Sequence, residues 1–212
     1  MKNQIISTVF SHNKKEFSER FAKLIKISKN LQIDFMDGIF VKGKSFKISQ
    51  MPNLKGKGNF EAHLMVINPI KYIKSLKSIG FKKIIFHFNS GDNVKTIAEI
   101  RKSGMKPFLA LNPEDKVSES FYLFQLVDGI LLMGVHPGEE HQKLIPAIYN
   151  KIKEIRKIDK NIIIQIDGGV HPTNIKKLKK AGANIFNSGS FVSDAENPHS
   201  VYIILKREIM KK

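Results

Sequence analysis

Two carboxylates stand where carboxylates are costly. Asp34 lies within Leu31-Gln32-Ile33-Asp34-Phe35-Met36, and Asp167 closes Ile162-Ile163-Ile164-Gln165-Ile166-Asp167. Both runs are otherwise strongly apolar, and a buried carboxylate needs a partner or a metal. His63 interrupts a third run, Glu61-Ala62-His63-Leu64-Met65-Val66. Two carboxylates and an imidazole, brought from different strands to one rim, could bind a divalent cation. The same trio could move protons as general acid and base. The residues alone leave both chemistries open.

A second constellation is made of small residues. Gly168-Gly169 follows the run that ends at Asp167, and Ser188-Gly189-Ser190 follows the last apolar run. Small residues let backbone N–H groups approach a phosphate. Each loop alone reads as an ordinary glycine turn, and their occurrence after the last two strands favours an anion site.

The elements that must position these residues are legible as two alternating patterns. Short apolar runs occur at Gln4–Phe10, Leu31–Met36, Phe60–Val66, Lys83–Phe88, Pro107–Leu111, Gly129–Met133, Asn161–Ile166 and Asn184–Phe186. Most are continuously apolar, as in parallel strands covered on both faces. Between them lie segments with helical spacing, such as Phe17, Phe21, Leu24 and Ile25, or Ile148, Ile152 and Ile155. Asn68-Pro69, Asp92, Asn112-Pro113 and Pro172-Thr173 read as helix starts, with the Asn68 side chain as a cap. Gly80, Gly104 and Gly182 read as helix stops leading directly into strands. The segment from Gly38 to Leu54 is the least helical and predicts a loop with a short or distorted helix.

Eight strands alternating with seven or eight helices in a chain of 212 residues predict an α/β fold, a (β/α)8 TIM barrel forming one domain over 1–212. An open doubly wound sheet is the alternative, but no Gly-x-Gly-x-x-Gly follows the first strand. In a barrel the chemistry sits at the C-terminal strand ends and the loops beyond them. The polar residues there are Thr8, Gln32, Asp34, Asp37, His63, His87, Asn112, His136, Asp167 and Ser190. Asp37 before Gly38 also reads as a plain turn residue, and Asn112 as a helix cap.

Composition narrows the function classes. The chain is 42% hydrophobic, which excludes a disordered or collagen-like chain, and it has no cysteine, which excludes disulfides and thiolate chemistry. No window approaches the roughly 18 apolar residues of a membrane span, so no membrane partner is expected. The N-terminal residues lack a signal-peptide pattern, so the cytoplasm is the expected compartment. The net charge of +17 invites a nucleic-acid reading. Yet only Arg20, Arg101, Arg156 and Arg207 are arginines, and the lysines are spread along the chain. Base and phosphate readers lean on the arginine fork, so no nucleic-acid partner is expected.

In order, Ile33-Asp34-Phe35-Met36-Asp37-Gly38-Ile39-Phe40-Val41, His63-Leu64-Met65, Val135-His136-Pro137-Gly138, Asp167-Gly168-Gly169-Val170 and Gly189-Ser190 resemble the motifs of ribulose-phosphate 3-epimerases. The resemblance spans nearly the whole chain. It implies a (β/α)8 barrel that interconverts ribulose 5-phosphate and xylulose 5-phosphate, with a small-molecule sugar phosphate as partner. It implies Asp34 and Asp167 as the acid–base pair, one for each face of an enediolate. It implies one divalent metal ion (zinc, iron or manganese) on Asp34, His63 and Asp167, with Gln32 as a weaker fourth candidate. Thr8, His63, Met36, Met65, Met133, Gly138, Gly168, Gly169, Gly189 and Ser190 are the implied substrate contacts. His87 matches a strand-four histidine, and Asn89 stands where an acidic residue is usual. A homo-oligomer is compatible with such barrels.

Two departures from the family pattern shape the expectations. Gln32 replaces a ligand histidine, and a neutral amide oxygen is a poorer zinc or iron ligand. The loop after strand six reads Pro137-Gly138-Glu139-Glu140-His141-Gln142 in place of a glycine-rich phosphate clasp. Its carboxylates would repel phosphate unless turned to solvent or paired with a cation. Two alternatives to the pentulose epimerase follow. One is a hexulose 6-phosphate epimerase, and the other is a catalytically weak homologue that binds a phosphosugar or another anion.

Overall fold

A computed structural model describes residues 3–211. Eight parallel strands close into a barrel in sequence order. They are β1 (Gln4–Val9), β2 (Asn30–Met36), β3 (Asn59–Met65), β4 (Lys83–His87), β5 (Lys106–Leu111), β6 (Gly129–Met133), β7 (Ile163–Asp167) and β8 (Ile185–Ser188). The helices around them are α1 (Lys14–Leu24), α2 (Ile70–Ile79), α3 (Asn93–Lys102), α4 (Val117–Ser120), α5 (Ile148–Ile158), α6 (Ile175–Ala181), α7 (Ser190–Ser193) and α8 (Pro198–Met210). The expected (β/α)8 architecture is therefore present.

The alternation is not strict. β2 is followed by a loop, an isolated bridge from Asp37 to Lys44 and a 3-10 turn over Ile48–Gln50, with no α-helix. β8 is followed by two helices, α7 and α8, which restores the helix total. Strand seven starts two residues later than its apolar run and takes in Asp167 as its last residue.

The helices form where apolar stripes meet the barrel wall. Ile148, Ile152 and Ile155 of α5 are buried on one face, each worth about 1.5–3 kcal/mol of burial. Asn13 caps α1 through its side chain, and Asp92 caps α3. Gly80 and Gly182 take positive φ at the ends of α2 and α6, as their sequence positions predict. Three starts differ from expectation: α6 begins only at Ile175, with Asn174 rather than Pro172-Thr173 at its cap, and the other two lie at Asn68 and Asn112. Asn68 has φ 57° and does not cap with its side chain, because Pro69 itself occupies the cap position of α2. Asn112-Pro113 forms a turn closed by the Asp115 carboxylate, which accepts from Asn112 N at 2.7 Å, and α4 begins only at Val117.

The barrel interior is chemically divided. On the side of β4 to β6 it is filled by Ile85, Phe108, Ala110, Leu131 and Met133. On the other side, buried Gln32, Glu61, His63, Gln165, Asp167 and Asn187 face one another across the barrel. This polar half positions the site.

Candidate active site

Asp34 and His63 are register partners on β2 and β3, so neighbouring strands deliver them side by side. Asp167 arrives from the end of β7. His63 Nδ1 lies 3.3 Å from Asp34 Oδ1 and 3.2 Å from Asp167 Oδ2. Gln32, two residues before Asp34 and on the same strand face, is fully buried beneath them. Its Nε2 donates to Asp34 Oδ1 at 2.8 Å and to Asp167 Oδ2 at 2.6 Å, and lies 3.4 Å from His63 Nδ1.

The electrostatics follow from this packing. Burial would pull the His63 imidazolium down, but its hydrogen bonds to Asp167 and Asp34 override that and hold it at about 9. Burial, reinforced by the Asp167 charge, pushes Asp34 up to about 6 against its hydrogen bonds from His63 and Gln32. His87 Nε2 lies 2.9 Å from His63 Nε2, and burial followed by the His63 charge keeps His87 well below its ordinary value. Neutral His87 therefore accepts the His63 Nε2 proton, which leaves Nδ1 facing the carboxylates.

A pH dependence of stability follows. The folded pKa of His63, about 9, lies above its ordinary 6.5, so the folded state holds the proton more tightly. That contribution is complete below pH 6.5 and is lost as pH rises through 9. About 3 kcal/mol is at stake in the cation-free protein. Thermal unfolding in the presence of a chelator should show Tm falling by several degrees between pH 6.5 and 9, and His63→Asn should flatten that slope. A wild-type Tm that does not move in this window would contradict the assigned charge state.

Asp34, His63 and Asp167 offer ligand atoms all within 4.8 Å of one another. The donor set, one imidazole and two carboxylates, suits zinc, iron or manganese. His87 behind His63 is the kind of partner that fixes the tautomer of a ligating histidine. The residues present thus fit a divalent cation with three protein ligands.

Above this floor lies a cavity of about 1030 Å³. Thr8, Met36, Met65, Met133, Gly138, Gly168, Gly169, Gly189 and Ser190 all line it, as do the two aspartates and His63. Gln32 sits below the lining. Gly168 and Gly169 have φ of 90° and 69°, and a Cβ on either would come within 2.4 Å of Val135 or 2.6 Å of Leu144. Only glycine lets this loop pass so close to its neighbours.

A model of the ribulose-phosphate 3 epimerase family matches residues 2–193. The chain belongs to that family. It is 33% identical over 186 residues to the ribulose-phosphate 3-epimerase, cytoplasmic isoform, of Oryza sativa subsp. japonica, covering 84% of this chain and 82% of that protein. A ribulose-phosphate 3-epimerase of Buchnera aphidicola subsp. Baizongia pistaciae is 32% identical over 216 residues, covering 97% and 94%. Among solved structures, KGPDC from Streptococcus mutans superposes with a TM-score of 0.73 at 12% identity, covering 99% of this chain and 98% of that one. The 3-hexulose-6-phosphate synthase of Salmonella typhimurium gives 0.72 at 13%, covering 98% of each chain. These structural likenesses speak for the barrel alone.

The remaining candidates divide clearly. Asp37 is a turn residue: its carboxylate accepts from Ile39, Phe40 and Ile67 backbone N–H groups. His136 pairs with Glu114 at the surface, and Asn89 donates to Asp115. In the loop after β6, Glu140 does not project freely. Arg20 of α1 donates to both of its oxygens at 3.1 Å and also pairs with Asp194 at 3.4 Å. An arginine thus neutralises a carboxylate that would otherwise oppose an anion. The residues behind the site, Glu61, Lys83, Gln165 and Asn187, escaped the sequence reading. The available signal was their spacing: Glu61 and Gln165 stand two before His63 and Asp167, on the same strand faces.

Proposed function

We propose that this isomerase interconverts ribulose 5-phosphate and xylulose 5-phosphate by inverting C3. The convergence of Asp34 and Asp167 from strands on different sides of the mouth carries the reading. One aspartate, ionised, removes the proton beside the carbonyl, and the other, protonated, gives its proton to the opposite face. In the cation-free site burial raises the Asp34 carboxyl to about 6, within reach of proton exchange near neutrality. His63 holds the two carboxylates in place. Asp34, His63 and Asp167 would hold a divalent cation, which would supply positive charge to offset the negative charge of the enediolate.

Met36, Met65 and Met133 give the cavity apolar walls that keep water from a planar intermediate. Backbone N–H groups of Gly168, Gly169, Gly189 and Ser190 are assigned to the phosphate. The pairing of Glu140 with Arg20 supports that assignment, since it removes a free negative charge from the mouth. We place the enzyme in the cytoplasm, in keeping with the plant relative. Among the described residues no helix is long and apolar enough to cross a membrane.

The test is incubation of the purified protein with ribulose 5-phosphate in deuterated water, followed at C3 by NMR. Deuterium at C3 together with the appearance of xylulose 5-phosphate is the expected result. Binding of the sugar without C3 exchange would favour a phosphosugar-binding homologue and overturn the proposal.

A further inference from the structure

Behind the carboxylates runs a buried chain of polar side chains with a fixed beginning and a fixed end. It begins at Lys83 on β4, whose ammonium pairs with Glu61 Oε2 at 2.5 Å and donates to Gln165 Oε1 at 3.1 Å. An ammonium can only donate, so the oxygen of Gln165 must face it. The nitrogen of Gln165 then donates to Glu61 Oε1 at 2.5 Å and to Asn187 Oδ1 at 2.9 Å. With its oxygen so engaged, Asn187 turns its nitrogen to Gln32 Oε1 at 2.5 Å. The nitrogen of Gln32 is thereby directed at Asp34 and Asp167.

We propose that the chain Lys83–Gln165–Asn187 sets the direction of the Gln32 amide, so that Gln32 serves the site as a donor clamping Asp34 to Asp167 and not as a fourth cation ligand. Turning Gln32 to present its oxygen would set its NH2 against that of Asn187. Asn187 would have to turn in its place, then Gln165, and the series would stop at Lys83 and Glu61, which cannot be inverted. Gln32, Asn187 and Gln165 are each under 2% exposed, so losing a partner leaves a buried polar group unpaired at a cost. Gln32 Nε2 already occupies the fourth corner around the trio, 2.6–3.4 Å from its three ligand atoms. This corner is filled by a group without a lone pair to give. The inference rests on the Asp34–His63–Asp167 site but not on epimerisation, so it stands or falls separately from the proposed reaction.

The experiment is zinc affinity of the purified protein, measured by competition with a chromophoric chelator in the absence of sugar. Asn187→Asp offers Gln32 an acceptor where a donor stood, which inverts the amide and brings its oxygen into the site. The zinc dissociation constant should fall roughly 10- to 100-fold, the scale on which hydrogen-bond partners of ligands act. The gain should be several-fold smaller when the same change is made in a Gln32→Leu background, where only the added charge, common to both backgrounds, can act. Asn187→Ala, which introduces no charge, should give a smaller gain in the same direction and should speed the exchange of the Gln32 side-chain amide protons with water. If Asn187→Asp does not fold, Asn187→Ala decides alone. An equal gain with and without Gln32 would overturn the inference, as would unchanged affinity and unchanged amide exchange in Asn187→Ala.

Discussion

Asp167→Asn is expected to slow C3 epimerisation by roughly 10²–10⁴-fold, the contribution of a positioned general acid or base, while leaving the barrel folded. The amide has nearly the shape of the carboxylate but takes up no proton in this pH range. At 8% exposure Asp167 has little contact with water that could substitute for it. Its Oδ2 accepts from Gln32 at 2.6 Å, and an asparagine oxygen can keep that bond. The loss should therefore fall on kcat more than on KM. A finer signature separates a proton-transfer role from a structural one. With one base removed, the other still exchanges the proton on its own face, so deuterium should enter only one of the two epimers from solvent. Asp34→Asn should show the reverse preference. Turnover at the wild-type rate in Asp167→Asn would remove Asp167 from the mechanism.

The strands were readable because both of their faces are covered, so that a run such as Ile130-Leu131-Leu132 needs no alternation to declare itself. Asp34, His63 and Asp167 were readable for the opposite reason, as polar residues in runs where nothing polar is cheap. What escaped were features defined by partners remote in sequence. The helix start at Asn68 is decided by its left-handed backbone and a hydrogen bond from Asn68 N to Ser90 O, neither of which a local motif announces. Lys83 opens its strand like a solvent-facing lysine, yet its ammonium lies 4.1 Å over the Phe108 ring and reaches Gln165, 82 positions away. Gln32 and Asn187 are 155 positions apart. Spacing showed that Gln32 shares a face with Asp34, but the end of its amide that meets the aspartates is set by residues on β7 and β8.

Gln32→His is expected to tighten zinc binding, and the size of the gain should depend on Asn187. A histidine here would add an imidazole to the two aspartates and His63, giving four protein ligands in place of three. To coordinate through one ring nitrogen it must carry its proton on the other, and that N–H needs an acceptor. In the present barrel the facing group is Asn187 Nδ2, a donor. Asn187 can accept only by turning, which breaks its bond from Gln165 Nε2 and leaves a buried donor unpaired at a cost of about 1–3 kcal/mol. The single substitution should therefore realise only part of the available affinity. Gln32→His combined with Asn187→Asp supplies the carboxylate that a ligating histidine ordinarily donates to, while Gln165 keeps an acceptor. The pair should exceed the single change by roughly 10- to 100-fold in zinc affinity. Chelator competition measures both, and the rate of C3 exchange in the zinc-loaded variants reports whether tighter binding also speeds the chemistry. A Gln32→His protein whose zinc affinity equals that of the parent, with or without Asn187→Asp, would show that position 32 does not reach the cation. The clamp on Asp34 and Asp167 would then have to be assigned elsewhere.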